Sequence, residues 1–172
     1  MDEVIFIFFN NYTPSDMLFE LWHRDPSAAA YLSGSPQYPD IAGIVFFYET
    51  GTGVYVMADV YGLPQGAPPC DRPIFAFHVH MGGACTGNET DPFADTGGHF
   101  NPQNCLHPFH AGDLPPLFGC KGHAWMTVLT DRFTVADIIG KTVIIHSGPD
   151  DFHTQPSGNS GTKIACGVIT AM

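Results

Sequence analysis

The sequence predicts an all-β domain, a sandwich or barrel of short strands joined by turns and long loops. Charged residues make up only 13% of the chain, whereas glycine (19) and proline (15) are plentiful. This composition favours strands and turns over long helices. Runs rich in Val, Ile, Phe, Tyr and Ala recur along the chain, each bounded by Gly, Pro, Asn or Asp. Many short strands with turn signals are typical of a sandwich or a barrel.

The candidate strands cover residues 28–32, 44–48, 54–61, 74–80, 124–129, 142–146 and 164–169. The glycine-containing residues 49–53 predict a hairpin connection between the second and third of them. Residues 134–140 predict a single helical turn. The chain of 172 residues is long enough for about one domain with one core.

The first part of the chain does not share this pattern. We therefore predict an N-terminal extension over residues 1–26 and one domain over residues 27–172. Within the extension, residues 16–22 could begin a short helix that Pro26 would stop.

The stretch 81–122 has no convincing periodicity, and loops of that length in a compact domain are usually functional or disordered. It contains His99, His107, His110 and Asp113, separated by seven, two and two residues. Three imidazoles and one carboxylate form a closed tetrahedral set that suits Zn²⁺. The alternative is a solvated histidine-rich loop, but the prolines around these residues favour a loop ordered by metal.

Three further histidines lie at the ends of candidate strands. His78 and His80 project together, because side chains i and i+2 of a strand point the same way. His146 ends another strand and, taken alone, is equally a buried histidine satisfied by backbone. With a shared His99, these residues form an all-imidazole set with an accessible position, which suits a copper ion that changes oxidation state. A shared imidazolate would hold the two metals about 6 Å apart.

Five motifs occur in a specific order along the chain. They are Phe-His-Val-His at 77–80, Gly-Gly-His-Phe-Asn-Pro at 97–102, His-Ala-Gly-Asp-Leu at 110–114, Val-Ile-Ile-His at 143–146 and Gly-Asn-Ser-Gly-Thr-Lys-Ile-Ala-Cys-Gly-Val at 158–168. In these motifs the chain resembles the Cu,Zn superoxide dismutases, and its short interval from His78 to Cys85 and its compact zinc loop resemble those of the bacterial members. The resemblance covers residues 27–172 and implies an eight-stranded Greek-key β-barrel or sandwich with long metal-binding and channel loops.

The resemblance implies two ligand sets that share one histidine. The copper set is His78, His80, His99 and His146. The zinc set is His99, His107, His110 and Asp113. Asp150 matches a carboxylate that links a copper histidine to a zinc histidine, and such carboxylates fix the tautomer and orientation of the rings. The alternative for Asp150 is an ordinary solvated turn residue.

The chain has five cysteines. Cys85 and Cys166 match the disulfide that the resemblance implies. Cys105 and Cys120 flank zinc-set residues and allow a second bridge, which would leave Cys70 unpaired. Five reduced thiols are the alternative, favoured if the protein is cytosolic.

The activity that the resemblance implies is conversion of two superoxide anions to O₂ and H₂O₂ by redox cycling of copper. His99 would be both the bridge between the metals and a proton donor. Lys163 stands where the resemblance usually places an arginine; it keeps the charge that guides the anion but loses the planar two-pronged donor. One alternative is a copper carrier with little activity on a dismutase-like barrel, and another is an interaction domain with a zinc-only site.

The formal net charge of −11 limits the partners of the chain. Nucleic acids and anionic membranes both require cationic surfaces, so we expect neither as a partner. Superoxide is the expected substrate, and the resemblance allows a homodimer as well as a monomer. No signal peptide is visible at the N-terminus, so the protein is either cytoplasmic or exported with its signal absent from this chain.

Overall fold

The computed structural model describes residues 24–67 and 73–172, and this part of the chain contains eight strands. They are β1 (Ala28–Gly34), β2 (Ala42–Thr50), β3 (Gly53–Tyr61), β4 (Ile74–His80), β5 (Asp113–Phe118), β6 (Ala124–Thr130), β7 (Thr142–His146) and β8 (Lys163–Ala171). A single 3-10 turn covers Ala94–Thr96, and α1 covers Val135–Ile138. The sequence prediction of an all-β domain is therefore confirmed.

All strand pairs are antiparallel, and the sheet runs in the order β5-β4-β7-β8-β1-β2-β3-β6. The two end strands, β5 and β6, also contact each other, so the sheet forms a nearly closed barrel. The connections from β3 to β4 and from β6 to β7 join strands that are not neighbours in the sheet. Closure of this kind removes most of the exposed sheet edge.

The core follows from the two-residue repeat of a strand, in which alternate side chains face opposite sides of the sheet. In β3 the residues Val54, Val56, Ala58 and Val60 are fully buried, whereas the residues between them are only partly buried. β4 departs from this alternation, because every residue from Phe75 to His80 is buried. A strand buried on both faces can hold polar side chains away from solvent.

All seven candidate strands occur, and 74–80 and 142–146 have the predicted bounds. The hairpin between β2 and β3 is also confirmed, with Thr50 paired to Gly53 across a two-residue turn. The sequence pattern missed β5, whose residues Pro115 and Pro116 lack backbone N–H groups. Proline is tolerated in an edge strand, and β5 is hydrogen-bonded in the sheet only to β4.

The helical turn predicted at 134–140 is present as α1. It is stabilised by a capping box in which the Asp137 carboxylate accepts hydrogen bonds from the Thr134 amide at 2.8 Å and the Thr134 hydroxyl at 2.7 Å. Among the described residues, no helix is long and apolar enough to cross a membrane. The helix predicted over 16–22, most of the 1–26 extension and Cys70 lie outside the described residues.

The predicted disulfide between Cys85 and Cys166 is present and joins the long loop after β4 to β8. The second bridge is not, because Cys105 and Cys120 are both free and exposed. Cys105 lies in the loop before β5, where its amide donates to Asn101 Oδ1 at 2.9 Å, whereas Cys120 follows β5 and forms a bridge with His123. Each cysteine is therefore held by its own local contacts.

Candidate metal centre

Two paired strands hold three of the predicted copper-set residues. His78 and His80 lie on β4, and His146 ends the neighbouring strand β7. His99 joins them because it forms an isolated antiparallel bridge with His80. All four side chains are buried, and their possible ligand atoms lie within 4.8 Å of one another. Four residues that span 68 positions of the sequence, from 78 to 146, therefore meet at one point.

Hydrogen bonds select which nitrogen of His78 and of His80 faces this point. The Nδ1 of His80 donates to the Gly97 carbonyl oxygen at 2.8 Å, which leaves Nε2 free to face the Nε2 of His146 at 3.3 Å. His78 donates in the opposite sense, from Nε2 to the Asp150 carboxylate at 2.8 Å. Its Nδ1, like the Nε2 of His99, is buried and has no hydrogen-bond partner within the described part of the chain.

The ring nitrogens that have no hydrogen-bond partner among the described residues indicate whether the site suits a metal. Buried polar atoms in native proteins nearly always have a partner, and a ring nitrogen without one costs free energy unless it binds a metal. Burial lowers the pKa of His80 well below its ordinary value, and the nearby His146 and His99 lower it further. Burial, together with His78 and His99, lowers the pKa of His146 to about 3. Neutral imidazoles of this kind are the form that binds metal, so the residues fit a copper ion.

The predicted zinc set converges through the same atom of each ring. The Nδ1 of His99 lies 2.6 Å from an Asp113 oxygen, and the Nδ1 atoms of His107 and His110 lie 3.1 and 3.3 Å from the other. The Nδ1 atoms of His99 and His110 are 3.4 Å apart. A tetrahedron with Zn–N bonds of about 2.05 Å has edges of roughly 3.3 Å. Three of the four distances match this value, so the residues fit zinc.

Asp150 connects the two sets. One carboxylate oxygen accepts from His78 Nε2 at 2.8 Å, and the other accepts from His107 Nε2 at 2.9 Å and from the Phe152 amide at 2.7 Å. Burial alone would raise the pKa of Asp150, but these hydrogen bonds hold it well below the ordinary value. Asp150 is therefore a buried carboxylate that bonds to one ring from each set, which is the contact that the resemblance implies.

The segment after Asp150 fits closely over this carboxylate. Gly158 has a φ of +66° and lies so close that a side-chain carbon there would overlap Asp150 and the His107 ring. Gln155 clamps the backbone of His107, because its Oε1 accepts from the His107 amide at 3.0 Å and its Nε2 donates to the carbonyl at 2.7 Å. The segment after β7 thus orders the loop before β5.

Lys163 lies at the cleft that leads to the copper set. His80, His99, His146 and Lys163 all line one cleft of about 710 Å³. The Lys163 ammonium donates to the Asp91 carboxylate at 2.9 Å and to the Phe93 carbonyl at 3.0 Å, and its side chain is only 15% exposed. The charge that was predicted to attract an anion is therefore held in place by a carboxylate, Asp91.

Sequence reasoning missed Asp91, Gly97 and Gln155. Each contacts a residue of the centre or its cleft that is distant in the sequence. The Gly97 contact uses the backbone carbonyl of Gly97, and the Gln155 contact uses the backbone of His107. No spacing or motif signals such a contact.

The fold and the two ligand sets define a β-barrel protein with a two-metal centre beside a cleft, which three of the four copper-set residues line. The family model described as copper/zinc superoxide dismutase matches residues 41–169. The "Superoxide dismutase [Cu-Zn] 2" of Aquifex aeolicus is 34% identical over 145 residues, which cover 76% of this chain and 80% of that protein. The superoxide dismutase of Legionella pneumophila is 33% identical over 153 residues, covering 84% and 86%. This chain belongs to the copper/zinc superoxide dismutase family.

Proposed function

We propose that this protein is a superoxide dismutase whose copper is held by His78, His80, His99 and His146 and whose zinc is held by His99, His107, His110 and Asp113. The observation that carries the proposal is the position of His99. Its Nδ1 belongs to the zinc set, 2.6 Å from Asp113. Its Nε2, which has no hydrogen-bond partner among residues 24–67 and 73–172, is buried beside the copper-set rings, and the centroids of the His99 and His78 rings are 3.9 Å apart. One imidazole thus has a nitrogen available to each metal.

The reaction 2 O₂•⁻ + 2 H⁺ → O₂ + H₂O₂ requires a one-electron store and a source of protons. Bound copper supplies the one-electron chemistry, and zinc supplies charge that holds His99. The protein supplies the rest. When Nε2 of His99 is not occupied by copper, it can hold one of the two protons and release it to the reduced anion in the cleft, and water in the cleft would supply the other.

Lys163 is proposed to orient superoxide within the cleft. A chain with a net charge of −11 repels an anion, so the approach requires a local positive group. The bonds to Asp91 and Phe93 fix the ammonium at the cleft wall, although Asp91 also offsets part of its charge. Lys163 is accordingly proposed as a weaker anion guide than an unpaired arginine.

A superoxide-consumption assay on protein loaded with copper and zinc tests the proposal. The loaded protein is expected to consume superoxide catalytically, and the metal-free protein is not. A copper carrier would bind both metals yet consume superoxide no faster than metal-free protein, and a zinc-only domain would take up zinc but not stoichiometric copper. Either result would overturn the dismutase proposal.

Two predictions about assembly accompany this proposal. The homodimer that the resemblance allows stays a prediction, which sedimentation equilibrium of the metal-loaded protein tests. The division into an extension over residues 1–26 and a catalytic domain over 27–172 also stays a prediction. Limited proteolysis followed by mass spectrometry tests it, with the expected outcome that a fragment beginning near residue 27 retains both metals.

A further inference from the structure

A single guanidinium group supports the loop that carries the zinc set. The Nη1 of Arg132 donates to three backbone carbonyl oxygens, those of Pro108 at 3.2 Å, His110 at 3.2 Å and Asp113 at 3.0 Å. Two of these carbonyls belong to zinc-set residues, and the third belongs to the residue that follows His107. All three zinc-set residues other than His99 are therefore held, directly or through a neighbour, by one side chain.

Arg132 itself is attached to the barrel. It follows β6 by two residues, and its amide donates to the Thr130 hydroxyl at 3.2 Å. The next residue, Phe133, is buried in the core. The guanidinium thus extends from a fixed part of the barrel to the loop before β5 and to the first residue of that strand. Hydrogen bonds from an ionised donor are stronger than neutral ones, so the three contacts restrict how the loop backbone can turn.

We propose that Arg132 is a positioning residue for zinc: it fixes the backbone of residues 108–113 so that His107, His110 and Asp113 present their ligand atoms together before the metal binds. The inference rests on the zinc set of the proposed function. A binding site that is already ordered loses less conformational entropy when its ligand arrives, and metal-binding free energy is otherwise consumed in ordering the site.

Charge alone predicts the opposite effect. A guanidinium near a dication repels it, so if Arg132 acted only through its charge, removing it would tighten zinc binding. The direction of the change therefore separates positioning from simple electrostatics. A purely structural role is separable as well, because it would lower the melting temperature of the metal-free and zinc-loaded proteins by the same amount.

The test compares Arg132→Met with Arg24→Met, which removes the same side chain from an exposed position away from the centre. Zinc affinity is measured on the full chain by competition with a chromophoric chelator, without copper. Arg132→Met is expected to bind zinc about 10-fold more weakly, the lower end of the range for residues that support metal ligands. It should also lower the melting temperature of the zinc-loaded form more than that of the metal-free form. Arg24→Met should match the unaltered protein.

The conservative variant Arg132→Lys provides a second, milder measurement should the methionine variant fail to fold. Lysine keeps the charge but has a single nitrogen on a shorter side chain, so its zinc affinity should fall about threefold. Affinity equal to or tighter than that of the unaltered protein, in whichever variant folds, overturns the positioning role. If instead the unaltered protein fails to bind one equivalent of zinc, the proposed zinc set fails, which is a different result.

Discussion

The two halves of the metal centre are held in different ways. The copper half is held mainly by strands, because His78, His80 and His146 lie on paired strands whose backbone hydrogen bonds fix the side chains. Most of the zinc half lies on a loop that is fixed by side chains from elsewhere, namely Asp150, Gln155 and Arg132. The comparison indicates that the barrel itself builds the open site, whereas the closed site depends on added contacts.

His99 is the residue that belongs to both halves, and its loss should have the largest effect. We expect His99→Ala to lower the dismutase rate on the order of 100-fold or more, since it removes both a ligand and the proposed proton donor. The rate is measured with metal content determined on the same sample. The matched control is His123→Ala, which changes a histidine outside both sets that bonds to Asp59. Full activity in His99→Ala would contradict the shared role.

Asp150 belongs to neither ligand set, but it forms hydrogen bonds to one histidine of each half. Asp150→Asn preserves the size of the side chain. Asparagine, however, has no pair of anionic oxygens to accept hydrogen bonds from both His78 and His107. We expect zinc affinity to fall roughly 10- to 100-fold, measured by chelator competition. Asp151→Asn makes the same chemical change at the next residue, which bonds to Thr154 rather than to either set. Equal losses in the two variants would show that Asp150 has no special part in the centre.

Removal of both metals should affect the halves unequally. Amides in β4 and β7 take part in the barrel ladder and should remain protected from hydrogen exchange when a chelator removes the metals. Amides in residues 99–112 should exchange at least about 10-fold faster, because local stability there depends on the bound metal and a few side chains. Mass spectrometry of peptides from the two regions measures this, and uniform loss of protection would contradict the comparison.

The smallest expected effect concerns the cleft rather than the ligands. Lys163→Arg should raise the rate about twofold at low ionic strength, because arginine adds a second donor prong, and Lys163→Gln should lower it about threefold. Both differences should shrink as salt screens the charge. Lys121→Gln, which removes an equal charge outside the cleft, serves as the control. Identical dismutase rates for the unaltered protein and all three variants at low salt would contradict the proposed role of Lys163 in guiding superoxide.

The sequence predicted the strands because they obey short-range rules, and it predicted the ligand sets from local spacing together with the resemblance to the family. The spacing of His78 and His80 on one strand, and of His107, His110 and Asp113 in one loop, brings the side chains together by local geometry. β5 was not predicted because its two consecutive prolines interrupt the apolar pattern that marks the other strands. The second bridge that Cys105 and Cys120 allowed is not formed, because two cysteines that flank ligands in the sequence need not lie near each other in the barrel.

The supporting contacts were beyond prediction for a physical reason. Asp91 reaches Lys163 across 72 positions of the chain, and Gln155 reaches His107 across 48. Arg132 acts on carbonyl oxygens, which every residue possesses, so no side-chain pattern marks its targets. Such contacts depend on how the barrel closes and become visible only when the strands are arranged in space.

The proposed sharing of His99 by copper and zinc implies that the affinities of the two metal sites are thermodynamically linked. If bound zinc changes the dissociation constant of copper by some factor, bound copper must change the dissociation constant of zinc by the same factor. This follows because the free energy around a closed cycle of binding steps is zero. Asp150 provides a second physical route for this coupling, since it touches one ring of each set. Scarcity of either metal in the surroundings would therefore change the occupancy of both sites.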